Sequence, residues 1–320
     1  MTTEPVRGPI AILGTGTIGA SWAAHFALHG FEVRLYDMVE SARASGLQAA
    51  SAALNRLQEL GLATPPVVAA AHQRLHRVDT LEAMADGAGY VQESVRETYE
   101  AKHAVFARLD NLLPPDAIVA SSSSGLLISE IQRVMKHPGR ALIAHPFNPP
   151  HLIPLVELVA GKQTSRDTID RARHFFTRTG KTPVIVNKEV PGHIANRLAA
   201  ALWREAIDLV ASGVASVEDV DKALTAGPGL RWAVMGQHMI YHLGGGTGGY
   251  RQFIDHIGKS FETYWQSMAN WTSIPPAAGE AVIRGVEQAT AGRPLADLAR
   301  DRDQRLAAVL KAVHGDTSTD

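Results

Sequence analysis

The chain contains no cysteine among its 320 residues. This absence excludes disulfide bonds, thiolate metal ligands and a cysteine nucleophile. A chain without thiols suits a reducing compartment, and we expect a cytoplasmic location.

Charge of one sign and long apolar runs are also scarce. The 31 Lys and Arg residues balance 32 Asp and Glu residues, so the net charge is -1 and no basic field attracts nucleic acid or an anionic membrane. No window approaches the roughly 18 apolar residues of a membrane-spanning helix. The N-terminal stretch MTTEPVRGPIAIL has neither a basic start nor a long apolar run. We therefore expect an unexported protein whose partner is a small molecule.

What the chain does have is enough apolar material, 45% of its residues, for about two domains. Short β-branched runs alternate with helical patterns in the first part, which predicts a mostly parallel sheet. After Asn187 the patterns are helical only. The sequence thus predicts an α/β domain over residues 1–190 and an all-helical domain over residues 191–320.

A glycine-rich segment directly follows the first apolar run, IAIL. It reads G-x-G-x-x-G and precedes a helical pattern, as in Rossmann-type dinucleotide sites. Asp37 ends the next predicted strand, where its carboxylate can accept from the adenosine ribose and repel the extra phosphate of NADP. The segment predicts NAD binding by Gly14, Thr15, Gly16, Thr17, Ile18, Gly19 and Asp37. Arg34 and Arg43 could weaken the preference for NAD over NADP. The alternative is that the glycine-rich segment is a purely structural turn that binds no dinucleotide.

The segment 121–159 carries the candidate chemistry. His145 follows the predicted strand ALIA, at the edge where open α/β sheets bind ligands. A neutral imidazole can take the hydroxyl proton when an alcohol gives hydride to nicotinamide. Glu157 falls on the following strand and can hold the other ring nitrogen. We therefore predict a base oriented by a carboxylate.

These residues resemble the L-3-hydroxyacyl-CoA dehydrogenase family. The block HPFNPP with LVELV, the serine run before Gly125 and the segment PGHIANRL carry the similarity. The resemblance implies His145 as acid/base with Glu157 as partner, and Ser124 at the substrate oxygen. It further implies substrate polarisation and domain linkage by Asn148 and Asn196, and NAD contacts by Glu97, Lys102 and Ser122. It also implies a homodimer formed through the helical domain.

Differences between this sequence and the acyl-CoA enzymes point to one branch of the family. The four-serine run and GPGLRWAVMG are more similar to the branch containing λ-crystallin, L-gulonate 3-dehydrogenase and L-carnitine dehydrogenase. A free carboxylate substrate needs a counter-charge, which Arg231 can supply, although this arginine could equally pair with a helix end or a Glu. CoA phosphates usually meet lysines, yet no Lys precedes Lys102. The helical stretch after Asp37 offers only Arg43, Arg56, Arg74 and Arg77. A small L-3-hydroxy acid is predicted, with a 3-hydroxyacyl-CoA as the alternative.

Other patterns support different interpretations. Ser124, His145 and a carboxylate could suggest a hydrolase triad, but the G-x-S-x-G elbow is absent. The histidine pairs 25/29 and 238/242 lack the Glu of H-E-x-x-H, so no metal site is predicted. The aromatic residues of the helical part could form a cation cage or simply pack in a core or dimer contact: Trp203, Trp232, Tyr241, Trp265 and Trp271. A non-catalytic, crystallin-like NAD-binding protein is the remaining alternative.

Overall fold

The computed structural model describes residues 6–314. Within this range the chain divides into two compact units, one ending at Asn196 and one beginning at Arg197. The expected boundary at residue 190 lies slightly earlier, in the turn that leads into the first long helix of the second unit.

The described part of the first unit contains one sheet of eight strands in the order β3-β2-β1-β4-β5-β6-β7-β8. Every neighbouring pair is parallel except β6 and β7, which are antiparallel. The mostly parallel sheet predicted from the sequence is confirmed. The strands are β1 Ile10–Leu13, β2 Val33–Tyr36, β3 Leu75–Arg77, β4 Tyr90–Glu93, β5 Ile118–Ser121, β6 Ala141–Pro146, β7 Leu155–Ala160 and β8 Thr182–Val186.

Helices connect these strands, and two of them end where glycine predicts it. Gly30 and Gly61 follow the first two helices with φ of 88° and 64°, a left-handed conformation that glycine adopts easily. The helices are α1 Thr17–Leu28, α2 Glu40–Glu59, α3 Pro65–Gln73, α4 Leu81–Ala85, α5 Tyr99–Leu112, α6 Ile128–Ile131 and α7 Arg166–Arg178, with short 3₁₀ turns at Gln132–Val134 and Pro138–Arg140.

The strands are apolar because helices cover the sheet. The central strands β1, β4 and β5 are buried throughout, as expected for a parallel sheet with helices on its faces. An aromatic cluster joins α1, β4 and α7 through close ring contacts: Trp22, Phe26, Tyr90, Phe175 and Phe176. This packing fixes α1, and with it the glycine-rich turn, against the sheet.

The second unit is helical throughout its described residues, as the sequence predicts. Its helices are α8 Ala195–Ala211, which begins in the first unit, α9 Val217–Ala226, α10 Pro228–Val234, α11 Gln237–Gly244, α12 Gly249–Ser267, α13 Pro276–Thr290 and α14 Leu295–His314. The glycine-rich patch 244–249 includes a 3₁₀ turn at Gly246–Gly248. No helix in the described range is long and apolar enough to cross a membrane.

Candidate active site

The three glycines of the glycine-rich turn differ in how much room each would leave for a side chain. At Gly14, with φ of 88°, a Cβ would meet the Ser94 carbonyl oxygen at 2.6 Å. At Gly19 it would lie 1.8 Å from the Gly14 carbonyl oxygen, so this glycine lets α1 pack on β1. A Cβ at Gly16 would have no neighbour within 4 Å. The turn therefore leaves its backbone open at the position where a dinucleotide pyrophosphate approaches a helix N-terminus.

Asp37 is held beside this turn by backbone donors. Its Oδ2 accepts from the Thr15 amide at 2.8 Å, and its Oδ1 accepts from the Val39 amide at 2.9 Å. A carboxylate oxygen has a second lone pair, so each can still accept a ribose hydroxyl. The Thr15 side chain donates to the Ala42 carbonyl at 2.7 Å, which orients the hydroxyl of Thr15 toward α2.

The two arginines near Asp37 are also engaged. Arg43 Nε donates to the Asp37 carbonyl oxygen at 2.6 Å, and its guanidinium lies 4.8 Å from the centre of the Tyr36 ring. Arg34 donates to the carbonyl oxygens of Ala83 and Asp86. Both guanidinium groups are thus bound to backbone oxygens of the protein itself.

Glu97 organises the serine run after β5. Its Oε1 accepts from the Ser123 hydroxyl at 2.5 Å and from the Ser124 and Gly125 amides at 3.0 Å each. Burial would raise the pKa of Glu97, but these hydrogen bonds and the nearby Lys102 ammonium lower it overall. The carboxylate therefore stays ionised and fixes the backbone that carries Ser124.

Lys102 lies underneath this segment rather than at the surface. Its ammonium is buried, contacts both oxygens of Glu93 at 3.0 Å and lies 3.3 Å from Glu97. The Ser121 hydroxyl donates to the same Glu93 at 2.6 Å. This placement favours an indirect effect of Lys102 on the cofactor, through Glu97, over the direct contact implied by the resemblance.

Ser122 joins the ends of two neighbouring strands. Its hydroxyl accepts from Gln92 Nε2 at 2.8 Å and lies 2.8 Å from the Ser94 hydroxyl. Because β4 and β5 are parallel, these side chains meet at the carboxyl edge that also carries the glycine-rich turn. The predicted cofactor residues of this unit therefore share one edge of the sheet.

His145 and Glu157 form the central pair of the site. They lie directly opposite each other on the antiparallel strands β6 and β7, which accounts for their spacing in the sequence. His145 Nδ1 is 2.8 Å from Glu157 Oε2. The other carboxylate oxygen accepts from the Ile194 and Ala195 amides at 2.8 and 2.9 Å. Among residues 6–314, none is hydrogen-bonded to His145 Nε2.

The electrostatics of this pair favour an ionised carboxylate. Burial would raise the pKa of Glu157, but the hydrogen bonds from His145 and from the two amides lower it overall. A negative charge here orients the imidazole with its proton on Nδ1 and stabilises an imidazolium. Nε2 is then the nitrogen able to accept a proton.

The remaining predicted residues are less constrained. Asn148 is exposed and Asn196 is partly buried, and neither amide is hydrogen-bonded to another described side chain. Arg231 lies on α10, exposed, and its guanidinium pairs with no helix end or Glu in the described range. The hydroxyl of Ser124 likewise has no partner among residues 6–314.

Two further features concern metal ligands and the aromatic residues of the helical part. No group of three or more His, Asp or Glu residues in the described range could hold a metal ion. In the same range no two of the four tryptophans named above are in ring contact, while Trp271 donates to Asp208 and Trp232 to Gln237. Tyr241 stacks on Phe253. These contacts favour packing roles for Trp271 and Tyr241, whereas Trp203 and Trp265 are largely exposed.

His193 is a site residue that the sequence reasoning missed. Its ring is buried and its centroid lies 5.0 Å from that of His145. The signal was available, because His193 lies within the segment PGHIANRL that was singled out for its resemblance.

The arrangement of turn, acid and histidine pair agrees with comparisons of the whole sequence. The 3-hydroxyacyl-CoA dehydrogenase NAD-binding domain matches residues 9–190, and the C-terminal domain of the same enzymes matches residues 192–284. The chain belongs to the 3-hydroxyacyl-CoA dehydrogenase family. It is accordingly an NAD-dependent oxidoreductase acting on CH–OH groups, and the open backbone at Gly16 with Asp37 beside it fits that cofactor.

Individual relatives cover nearly the full chain. The L-carnitine dehydrogenase of Streptomyces coelicolor is 42% identical over 312 residues, covering 98% of this chain and 96% of its own. That of Pseudomonas putida is 39% identical, covering 95% and 93%. Among solved structures, an NAD-dependent 5-formyl-3-hydroxy-2-methylpyridine 4-carboxylic acid 5-dehydrogenase has a TM-score of 0.80 and 30% identity, covering 96% and 98%. The Escherichia coli 3-hydroxybutyryl-CoA dehydrogenase has a TM-score of 0.64 and 32% identity, covering 74% and 49%.

Proposed function

We propose that this chain oxidises the 3-hydroxyl group of a small, free L-3-hydroxy acid to the 3-oxo acid, with His145 as general base and L-carnitine as the first substrate to test. The observation that carries this proposal is the buried His145–Glu157 pair, with 2.8 Å between Nδ1 and Oε2. Nε2 of His145 has no hydrogen-bond partner among residues 6–314, so it can accept the proton of the substrate hydroxyl.

Each residue has a defined part in this proposal. The glycine-rich turn and Asp37 would hold NAD, which would supply the acceptor for the hydride of the carbinol carbon. His145 Nε2 takes the hydroxyl proton, and Glu157 stabilises the positive charge that this transfer places on the imidazole. The Ser124 hydroxyl binds the substrate oxygen, while Asn148 and Asn196 polarise the substrate. Glu97 keeps Ser124 in place through its amide.

The four arginines after Asp37 already have partners within the protein, which favours a free acid over a CoA thioester as the substrate. Arg43 and Arg77 lie near Asp79, Arg56 pairs with Glu59 at 3.0 Å, and Arg74 donates to the Ala27 carbonyl. Phosphate groups of CoA would have to compete with these partners. Arg231, in contrast, has an exposed guanidinium without a described ion-pair partner, which suits a substrate carboxylate.

L-Carnitine is favoured because several relatives with that name are about 40% identical across the chain. L-Gulonate is a second free-acid candidate, and a 3-hydroxyacyl-CoA remains the alternative because the family contains such enzymes. A crystallin-like role would leave NAD binding without turnover.

The deciding experiment measures NADH formation from L-carnitine, L-gulonate, free L-3-hydroxybutyrate and its CoA thioester. We expect one of the free acids to be preferred. In the His145→Gln variant, turnover should fall at least about 100-fold, the usual contribution of a general base, while NADH binding is retained. His174→Gln, at an exposed histidine on α7, is the matched control. Preference for the thioester would refute the free-acid substrate. An active His145→Gln enzyme would refute His145 as the general base.

We also propose a homodimer and a cytoplasmic location. The homodimer is supported by the described part of the second unit, where large apolar side chains remain exposed, among them Leu198, Trp203, Leu230 and Trp265. Cytoplasmic location rests on the cysteine-free composition alone.

A further inference from the structure

Four consecutive residues, Gly192 to Ala195, contact both the serine run and the His145–Glu157 pair. The Gly192 amide donates to the Ser124 carbonyl at 2.9 Å. His193 Nε2 is 3.0 Å from the Ser123 carbonyl oxygen. The next two amides, of Ile194 and Ala195, donate to Glu157. One short segment therefore connects the serine run to the carboxylate that orients His145.

His193 is built into this turn at a conformational cost. Its φ is 48°, in the left-handed region that residues other than glycine adopt uncommonly, although asparagine, aspartate and histidine are enriched there. The residue is nevertheless 3% exposed, so the surrounding contacts hold it there. A bond to the Ser123 carbonyl requires the proton on Nε2, because a carbonyl oxygen only accepts. Nδ1 then carries a lone pair, and this buried atom has no hydrogen-bond partner.

The ring is suited to the neighbourhood of His145 because it stays uncharged. Burial lowers the pKa of His193, and the nearby His145 lowers it further, against the raising effects of the Ser123 carbonyl, Glu157 and Glu97. With the ring centroids 5.0 Å apart, a charged His193 would oppose the positive charge that forms on His145.

We propose that His193 is a positioning residue that sets the Ser124 hydroxyl relative to the His145–Glu157 pair, a role that rests on the function proposed above. The imidazole holds the Ser123 carbonyl against the same turn whose amides hold Glu157. Substrate oxygen and base are thereby set from one segment. Removal of the ring should disturb turnover more than cofactor binding, because the hydrogen bond and the ring contact of the His193 side chain go to Ser123 and His145 and not to the glycine-rich turn.

The test compares two substitutions at this position. His193→Gly removes the ring without backbone strain, since glycine tolerates positive φ. His193→Gln keeps an N–H donor near the place of Nε2. We expect kcat of the glycine variant to fall about 10- to 100-fold, the factor for leaving a buried acceptor unpaired. The glutamine variant should recover a large part of kcat, and added imidazole should partly restore the glycine variant. The Kd for NADH should change less than threefold in both.

Amide hydrogen exchange of residues 121–125 provides a readout that does not need turnover. The amides of residues 122–125 donate to the Glu93 carbonyl oxygen, the Ser121 hydroxyl and the Glu97 carboxylate, so loss of the bond between His193 and Ser123 should speed exchange in His193→Gly but not in the control His174→Gln. Unchanged kcat and unchanged exchange in a folded His193→Gly protein would overturn the positioning role. If the wild-type protein oxidises no hydroxy acid, the proposed function fails. Even then, faster exchange in the glycine variant supports the structural role of the bond between His193 and Ser123, and unchanged exchange refutes it.

Discussion

Lys181 is a buried lysine whose ammonium donates to backbone carbonyls in the described part of the chain. Its ammonium donates to the carbonyl oxygens of Pro150 and Ile153, the second at 2.8 Å, and lies 5.1 Å from the centre of the Trp22 ring. Burial lowers its pKa to about 7. This lysine therefore ties the loop between β6 and β7 to the sheet, at the cost of desolvating a cation.

Replacing Lys181 with Met should change the pH dependence of stability in a defined direction. Between about pH 7 and 10 the unfolded chain keeps this proton and the folded chain does not, so the wild-type free energy of unfolding rises with pH. The contribution is about 1 kcal/mol per pH unit. Lys181→Met lacks this rise. Denaturation at pH 7.5 and 9.0 should show the wild type gaining stability relative to the variant. Burial lowers the pKa of the neighbouring His25 and His29, so neither titrates in this window; parallel curves would contradict the assignment.

Asp37 should control the choice between NAD and NADP. Its carboxylate lies beside the glycine-rich turn and would repel a ribose phosphate by about 1–4 kcal/mol at close range. We expect Asp37→Ser to lower the ratio of kcat/KM for NAD over NADP by about tenfold or more. Asp116→Ser removes one exposed charge at the opposite end of the sheet, just before β5, and is the control for net charge. An unchanged ratio in Asp37→Ser would show that selectivity comes from other residues.

At the scale of elements, two glycines at the junction of β1 and α1 should affect different properties: Gly19 the stability of the fold, and Gly16 the binding of the cofactor. Gly19→Ala places a Cβ 1.8 Å from the Gly14 carbonyl oxygen and should cost about 1–3 kcal/mol of stability through overpacking. Gly16→Ala meets no protein atom within 4 Å, and its φ of -65° is ordinary for alanine. It should leave Tm unchanged but raise the Kd for NADH at least about tenfold, because the methyl group would block the pyrophosphate. Thermal melts and NADH fluorescence titrations measure both; equal effects of the two variants on Kd and Tm would contradict this separation.

The sequence predicts the elements whose signal is local and strong. The apolar runs 90–93 and 118–121 predict strands, and β4 and β5 have these bounds; the glycine at position 61, directly after the helical pattern 39–60, predicts the end of α2. The short edge strand β3 was missed, because only one of its three residues is buried. Helix α7 was also missed, although Ser165 caps it through the Thr168 amide. Such a serine is common in loops as well, so its signal is ambiguous without the fold.

The site shows the same division between local and non-local information. The pairing of His145 with Glu157 follows from two strands joined by a short connection, and it could be anticipated. The contact between His193 and Ser123 joins residues 70 positions apart. The burial of Lys102 between two carboxylates also depends on packing. Neither feature could be inferred from the spacing of these residues in the sequence.

At the scale of the whole molecule, the described part of the second unit buries few apolar side chains, namely Ile207, Phe253, Ala278 and Ala307. Leu198 and Trp203 on α8 are 68% and 58% exposed, and Leu202 between them is 39% exposed. Exposed apolar groups that cluster on one helix commonly mark a protein interface. A second copy of the chain is the partner that the proposed homodimer provides.

We predict that sedimentation will give a species of twice the 34.3 kDa chain mass, and that Leu198→Asp combined with Trp203→Asp will shift it to the monomer. Charges buried in an interface without partners cost several kcal/mol, which is enough to dissociate a micromolar dimer. Val134→Asp, at an exposed apolar residue of the first unit, should leave the mass unchanged. If the double variant still sediments as a dimer, α8 does not form the interface; if the wild type sediments as a monomer at tens of micromolar, the homodimer itself is wrong. Because the substituted side chains are exposed rather than part of a core, circular dichroism should report nearly the same helix content for all three proteins.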